Sequence, residues 1–390
     1  MPERSIDDRS QCPVCGSDDI EHLSFRHRGQ IVSSNWVVQS NAELFPCCCR
    51  NCGLVYESRG VRHSLDEFYE KVFGPTPLME FYGDGKAQLV DLLGELAAIG
   101  PTGRLLEVGS GRGQFLRRFH EVHREWQLTA VEPSGSFDVL VKAVPVAQAH
   151  RCGFEAFACE PGSQDIVVAL SVIQSVANPL ALLQWAARAL KKGGVCFLEA
   201  SNFETHPNSL VCGDHLSKLT PASLENLAAR AGFTVEAIRP AGVPMYAALR
   251  ATGAPPETPT SAFAHNIRVA RRTERLVRAN LKSIADARAN ARRHNEGFGI
   301  FGLASIGVTA PFILNFPPSD ITAFIDDNAR AWGAEAIGRP IIGPQLLHDR
   351  GIKHIALSLS PVYAERVAAK LQPLDVSVYM VEDEDVDSTG

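Results

Sequence analysis

Apolar residues in this chain fall into short continuous runs that break at glycine-rich or polar turns, and these runs alternate with stretches of helical spacing. Arg104-Leu105-Leu106-Glu107-Val108 is one such run, and it passes through Gly109-Ser110-Gly111-Arg112-Gly113 into a helix. Asp165 to Ser171 is apolar throughout its middle, as a strand covered on both faces of a parallel sheet must be. Pro179 to Leu190 has helical spacing, with Lys191 and Lys192 in the expected last turn and Gly193-Gly194 stopping it before a strand from Val195 to Leu198. A helix from Lys86 to Ile99, ended by Gly100-Pro101, leads into the first run as scaffold. Strands alternating with helices in this order predict an α/β fold built on a largely parallel sheet.

The pattern changes on either side of this core. Upstream, Ile31 to Val38 and Leu54-Val55-Tyr56 read as strands of a small β-rich module ending near Arg62. A leader helix over Leu65 to Val72, a Gly/Pro loop through Gly74, Pro75 and Pro77, and Phe81-Tyr82 as part of a lid or of the packing would follow. Downstream, the Pro/Gly/Thr-rich break from Gly253 to Pro259 precedes one long Arg- and Ala-rich helix, Ala264 to Asn295, expected to bridge two units. Its basic face reads as solvated or as help in meeting a phosphorylated ligand. Phe298 to Gly307 and Ile321 to Asn328 then repeat the order of strand, glycine turn, helix and strand ending in acid, followed by a buried strand at Ile355 to Ser358. The expected division is 1–62, 63–252, 253–380 and an acidic, solvated tail at 381–390 that includes Glu382 to Asp385.

Composition narrows the classes. The chain has 390 residues, 45% of them hydrophobic, which is enough for two or three cores. A net charge of −6 offers no broad basic field for nucleic acid. No apolar run approaches the ~18 residues needed to cross a bilayer, and Met1 to Gln11 lacks the apolar stretch of a signal peptide. A cytoplasmic protein with a small-molecule acceptor is expected, and its ten cysteines then read as thiols or metal ligands. There is no internal repeat and no nucleotide-triphosphate loop.

The glycine turn carries the first chemical signal. Gly109, Gly111 and Gly113 give Gly-x-Gly-x-Gly, whereas a dinucleotide fingerprint would want glycine where Gln114 stands. Without a pyrophosphate to cradle, the turn suits S-adenosylmethionine, whose amino-acid end would pass close to the backbone. A second strand ends in Val131-Glu132-Pro133, and Glu132 would accept hydrogen bonds from both ribose hydroxyls.

Cysteines carry the second. Cys12-Pro13-Val14-Cys15-Gly16 and Cys49-Arg50-Asn51-Cys52-Gly53 are two knuckles whose four thiolates would hold structural Zn²⁺ with no open position. Cys47 and Cys48 leave open which thiols bind, and an incidental cysteine cluster is the alternative.

Four motifs in order, from Glu107 through Glu199, resemble the class I S-adenosylmethionine-dependent methyltransferases. The resemblance implies a Rossmann-like core in which Glu107, Gly109, Ser110, Gly111, Gly113, Glu132, Pro133 and Ser171 hold the cofactor. Many relatives carry Glu-His where this chain has Gln174-Ser175. Over almost the whole chain the order also resembles the three-domain sugar C-methyltransferases, with a zinc module first and a second Rossmann-like unit last. There a Tyr-x-Glu-His run supplies the base on the loop after the fifth strand, and Cys212-x-Asp214-His215 looks like a variant of it, followed by a helix capped by Thr220 with Pro221 at its first position.

The resemblance implies C-methylation of a nucleotide-linked keto-sugar, with His215 as base, Asp214 orienting or polarising it, and His206 in reserve. Cys212 replaces the family tyrosine, and Ile306 replaces the lysine of the second glycine turn, where backbone amides could still meet a diphosphate. Methyl transfer to oxygen or nitrogen of another metabolite, or a non-catalytic binding subunit, are the alternatives.

Overall fold

The computed structural model describes residues 11–58, 69, 76, 78, 83–253 and 256–381. Of the expected leader helix only Tyr69 falls among them, while Phe81-Tyr82 and the acidic tail lie outside the described residues.

The central sheet has strands β1 (Gly103–Val108), β2 (Trp126–Val131), β3 (Gln148–His150), β4 (Gln164–Leu170), β5 (Leu190–Ser201), β6 (Phe233–Pro240) and β7 (Pro244–Ala251). Their spatial order is β6-β7-β5-β4-β1-β2-β3, parallel except for β7, which runs antiparallel to both neighbours. The chain leaves β1 toward β2 and β3 and returns to β4 on the other side. That reversal opens a crevice at the carboxyl ends of β1 and β4, where open α/β sheets bind ligands. Register puts the ends level, with Val108 beside Val131 and Ala169, and Leu170 beside Glu199. Leu105, Leu106 and Val167 to Ala169 are buried, as their unbroken apolar pattern requires.

Helices α1 (Leu89–Leu96), α2 (Gln114–Val122), α3 (Phe137–Ala143), α4 (Pro179–Ala189) and α5 (Pro221–Arg230) connect these strands. The expected helix from Lys86 is α-helical only in α1, after a 3-10 turn at Gly83–Gln88. Helix α4 stops at Ala189, short of the expected last turn. Lys191 and Lys192 instead enter β5, whose register against β4 shifts between Leu190 and Val195, where the glycine pair sits.

Helix α6 (Phe263–His294) is the expected bridge, 32 residues and hence about 48 Å long. Beyond it, β8 (Gly297–Phe301), α7 (Ser305–Ile313), β9 (Ala323–Ile325), β10 (Glu335–Ala336), β11 (Arg339–Ile342), β12 (Ile352–Leu357), α8 (Pro361–Leu371) and β13 (Ser377–Tyr379) form the second unit. Its sheet order is β10-β11-β9-β8-β12-β13.

The amino-terminal segment is woven into both units. Expected as one strand, Ile31 to Val38 is a hairpin: His27–Val32 pairs with Val38–Leu44, and the tip spans Ser33 to Val37. Polar Ser33, Ser34 and Asn35 interrupt the apolar run there, and Trp36 adopts a left-handed φ of 63°. The hairpin packs in one apolar cluster with α6 and the second unit, including Ile31, Val277, Phe298 and Phe324. A separate small sheet orders Ile20–His22, Pro46–Cys49, Val55–Glu57 and Ser217–Lys218, so its last strand comes from the loop after β5.

Candidate active site

Gly109 to Gly113 turns from β1 into α2, tied to the end of β2 by the Gly109 and Ser110 amides, which donate to Val131 O at 2.8 and 3.3 Å. Ser110 Oγ donates back to Glu107 O at 2.9 Å. A side chain on Gly113 would strike Leu140 of α3 and Val144 just after it, so that glycine lets two elements close up, and its φ of 77° also excludes most residues. Gly111 differs: at φ 53°, a Cβ there would meet no atom within 4 Å.

Two carboxylates flank the turn. Glu132 takes the Gly111 amide on Oε2 at 2.6 Å and the Ser134 amide on Oε1 at 2.8 Å, so each oxygen keeps a lone pair for a ribose hydroxyl. Pro133 follows directly and turns the chain toward α3. Glu107 is fully buried and its Oε2 has no hydrogen-bond partner. Burial pushes its carboxyl well above the usual range, opposed by the Lys86 ammonium and reinforced by Glu132. A buried polar atom without a partner, beside an open glycine turn, fits a ligand that brings a cation. The ammonium of a bound amino-acid moiety is such a group.

Ser171, at the end of β4, adopts φ 60° and places its hydroxyl between Glu199 Oε2 at 3.1 Å and Lys86 Nζ at 2.8 Å. Lys86 and Glu199 also pair directly. Neither stood out in the sequence, since a lysine before β1 and an acid ending β5 carry no spacing signature.

The second group of expected residues lies on the loop between β5 and α5. Thr220 caps α5 as expected, accepting the Ser223 amide at 3.1 Å. His215 is buried, and its Nδ1 lies 2.9 Å from Ser209 Oγ. Burial lowers its proton affinity to about pKa 4, with Asp214 opposing and Lys218 adding to the shift. The ring is therefore neutral at neutral pH. His206 is also buried and depressed, to about 3, and its Nδ1 has no partner.

The hydrogen bond at His215 Nδ1 is shared with Ser209 Oγ, and Asp214 acts on the ring through its charge, which favours the protonated form. Asp214 receives four donors: the Ser34 amide at 2.8 Å, Ser34 Oγ at 2.6 Å, Cys212 Sγ at 3.1 Å and Tyr69 OH at 3.3 Å. Those four fill its lone pairs, so Asp214 has none left for a metal although Cys212, Asp214 and His215 cluster within 4.8 Å. Tyr69, from the segment before β1, thus brings a phenolic hydroxyl to the Cys212–His215 loop. Tyr69 and Ser34 lie too far away in sequence for local spacing to reveal them.

The two groups meet at Gln174. Its carbonyl, just past β4, accepts the Leu216 and Ser217 amides at 2.8 and 2.9 Å and ties the His215 loop to the cofactor edge.

The four knuckle cysteines also converge. Cys12 and Cys52 sulfurs lie 3.5 Å apart, as do those of Cys15 and Cys49, and all four fall within 4.8 Å of one another. Four thiolates about 2.3 Å from a tetrahedral ion would be separated by about 3.8 Å, so the set fits Zn²⁺. Cys47 and Cys48 point elsewhere, toward the carbonyls of Tyr56 and Gly53, both at 3.6 Å.

Residues 82–238 match the family described as a methyltransferase domain. Those residues form a methyltransferase domain on a Rossmann-like α/β core. Solved structures similar to it include an S-adenosylmethionine dependent methyltransferase from Mesorhizobium loti, 17% identical over 43% of this chain and 99% of that one, with a TM-score of 0.39. A SAM dependent methyltransferase from Aquifex aeolicus is 13% identical over 45% of this chain and 98% of that one, TM-score 0.38. A possible histamine N-methyltransferase from Thermotoga maritima is 19% identical over 48% and 100%, TM-score 0.37. No curated protein matches the chain. Among the described residues no helix is long and apolar enough to cross a membrane.

Proposed function

We propose that the chain methylates carbon of a small keto-compound, with a nucleotide-linked keto-sugar as the acceptor class, and that His215 is the base. The observation that carries this reading is a buried imidazole on a loop fastened through Gln174 to the edge that holds Glu107, Gly111 and Glu132. Bound S-adenosylmethionine would supply an electrophilic methyl group. Carbon becomes nucleophilic only when the proton beside a carbonyl is removed, and a base must be unprotonated to take it. In the tautomer that carries its proton on Nδ1, paired with Ser209 Oγ, the His215 Nε2 lone pair would accept that proton. Burial keeps the ring in this form down to about pH 4. Glu132 would hold the ribose and Glu107 the ammonium, while Lys86 and Ser171 line the same edge.

Incubation with keto-sugar nucleotides in deuterated water tests the base. Exchange of the proton beside the carbonyl is expected in the intact protein and lost by at least about 100-fold in His215→Ala. Unchanged exchange in that variant would remove His215 from the role.

A second reading draws on one observation. The Ile306 amide at the start of α7, which could have met a diphosphate, is occupied by Asn208 Oδ1 at 3.3 Å. An acceptor without a diphosphate, methylated on oxygen or nitrogen, suits that arrangement, and turnover on such metabolites without any carbon-bound exchange would favour it.

The four thiolates would hold one structural Zn²⁺, and elemental analysis is expected to find one equivalent per chain. Less than half an equivalent after purification without chelator would count against it.

A further inference from the structure

Lys218 is fully buried, an unusual place for an ammonium, and it has two partners. One is Glu57, itself buried, at 3.1 Å, and the other is the carbonyl of His215, to which the ammonium donates. Glu57 follows the second cysteine knuckle by five residues and belongs to the strand Val55–Glu57. That strand pairs antiparallel with Ser217–Lys218, and the Glu57 amide donates to Leu216 O at 2.9 Å. Its carboxylate also accepts the Phe45 amide at 2.8 Å, which fixes it within the same small sheet. The His215 loop is therefore strung between Gln174 on one side and the four-cysteine sheet on the other.

We propose that Lys218 and Glu57 are positioning residues through which the four-cysteine module sets the place and the charge environment of His215. A buried ion pair is costly to form and is strongly felt when one partner is removed, so it fixes geometry more surely than it adds stability. An apolar pair would hold the strands together but would leave the His215 carbonyl without its donor and the imidazole without a neighbouring cation. The charged and titratable groups around the ring are Asp214 and Cys212 on its own loop, His206 from the preceding turn, Tyr69 reaching Asp214, Lys218, and Glu57 behind it. Lys218 is the cation among them, and it opposes protonation of the ring.

This inference draws its catalytic meaning from the reading of His215 as base, but its test does not depend on that reading. The full chain, loaded with zinc, would be labelled at histidine and titrated by NMR, with the His215 signal assigned by its absence in His215→Asn. Lys218→Met alone leaves a buried Glu57 without its partner and could fail to fold, so the double variant Lys218→Met with Glu57→Leu carries the test. The expected result is a rise in the His215 pKa of at least one unit, a tenfold gain in proton affinity, with metal content and S-adenosylhomocysteine affinity unchanged. Lys218→Arg, which keeps the cation, should restore the low value. A His215 pKa in the double variant within 0.3 units of the intact protein overturns the proposal.

Hydrogen exchange in the unaltered chain tests the same link without substitution. Chelating the metal should accelerate exchange across residues 212–220 at least 100-fold while β1 and α2 stay protected. Equal protection of 212–220 with and without metal, or a loss spread evenly over the central sheet, overturns it. Retained deuterium exchange in His215→Ala would instead defeat the base assignment and leave the clamp standing.

Discussion

At the end of β1 the glycine turn leaves Gly111 facing open space, with an unpartnered Glu107 oxygen beside it and Glu132 closing the far side. At the end of β8 the corresponding turn is packed shut. A Cβ on Gly302 would lie 2.6 Å from Leu359 Cδ2, and one on Gly307 would lie 2.7 Å from Ser358 Oγ. Asn208 occupies the Ile306 amide, and Trp36 Nε1 donates to Leu303 O at 2.9 Å. Asp326, which ends β9 as Glu132 follows β2, turns onto the Asn328 amide at 2.8 Å. One unit uses the strand, glycine turn and helix to leave space open at Gly111. The other uses it to receive the His215 loop and the hairpin tip. Glycine in such a turn permits close approach, and whether a ligand or the protein itself approaches depends on what the rest of the chain delivers there.

The largest effect expected from this contrast is on cofactor affinity. Glu132→Ala should weaken S-adenosylhomocysteine at least 100-fold, about 2.7 kcal/mol, whereas Asp326→Ala should leave it within twofold, both read by titration calorimetry. A comparable loss from Asp326→Ala would erase the distinction between the two turns.

Stability should show the opposite pattern. Gly307→Val forces a side chain against Ser358 in a closed seam and should cost about 1–3 kcal/mol in urea unfolding while sparing cofactor affinity. Gly111→Ala, with no atom in its way, should cost only about 1 kcal/mol of backbone strain yet lower cofactor affinity tenfold or more. If the two variants lost stability equally and both bound normally, the first turn would be no more open than the second.

A smaller effect concerns protons. Burial holds the Glu107 carboxyl protonated above the usual range, and an incoming ammonium favours the carboxylate, so binding should release a proton. Affinity for S-adenosylmethionine should then strengthen as pH rises through that range, by at most about tenfold per unit, and Glu107→Gln should flatten the slope. A slope of the opposite sign would mean that Glu107 is not the ammonium partner. No such term is expected from the second unit.

The glycine turn and the strands around it were legible in the sequence because their parts are local. Glycine spacing, an acid at the end of the next strand and an unbroken apolar run each report on a few neighbouring residues. The four cysteines were legible for the same reason, and Cys47 and Cys48 were separated from them only by where the strand Pro46–Cys49 aims its side chains. Local pattern failed where distant segments decide the outcome. Ile31 to Val38 reads as apolar enough for one strand, but Ser33, Ser34 and Asn35 make a tip whose partners, Asp214 and Leu303, lie far along the chain. Tyr69 reaches Asp214 across 145 positions, and Glu57 reaches Lys218 from the other side of the first α/β unit. Long-range pairings of this kind leave no periodicity. Helix α4 ended early for a different reason: Leu190 turns extended and pairs with Gln164, and Lys191 to Gly194 form an irregularity before pairing resumes at Val195.

Titration calorimetry of S-adenosylhomocysteine into the folded, zinc-loaded chain tests the central claim most directly. The account predicts one binding site per chain, located at the carboxyl edge of β1 and β2 and lost in Glu132→Ala. Absence of binding to protein that still unfolds in a single cooperative transition would contradict it.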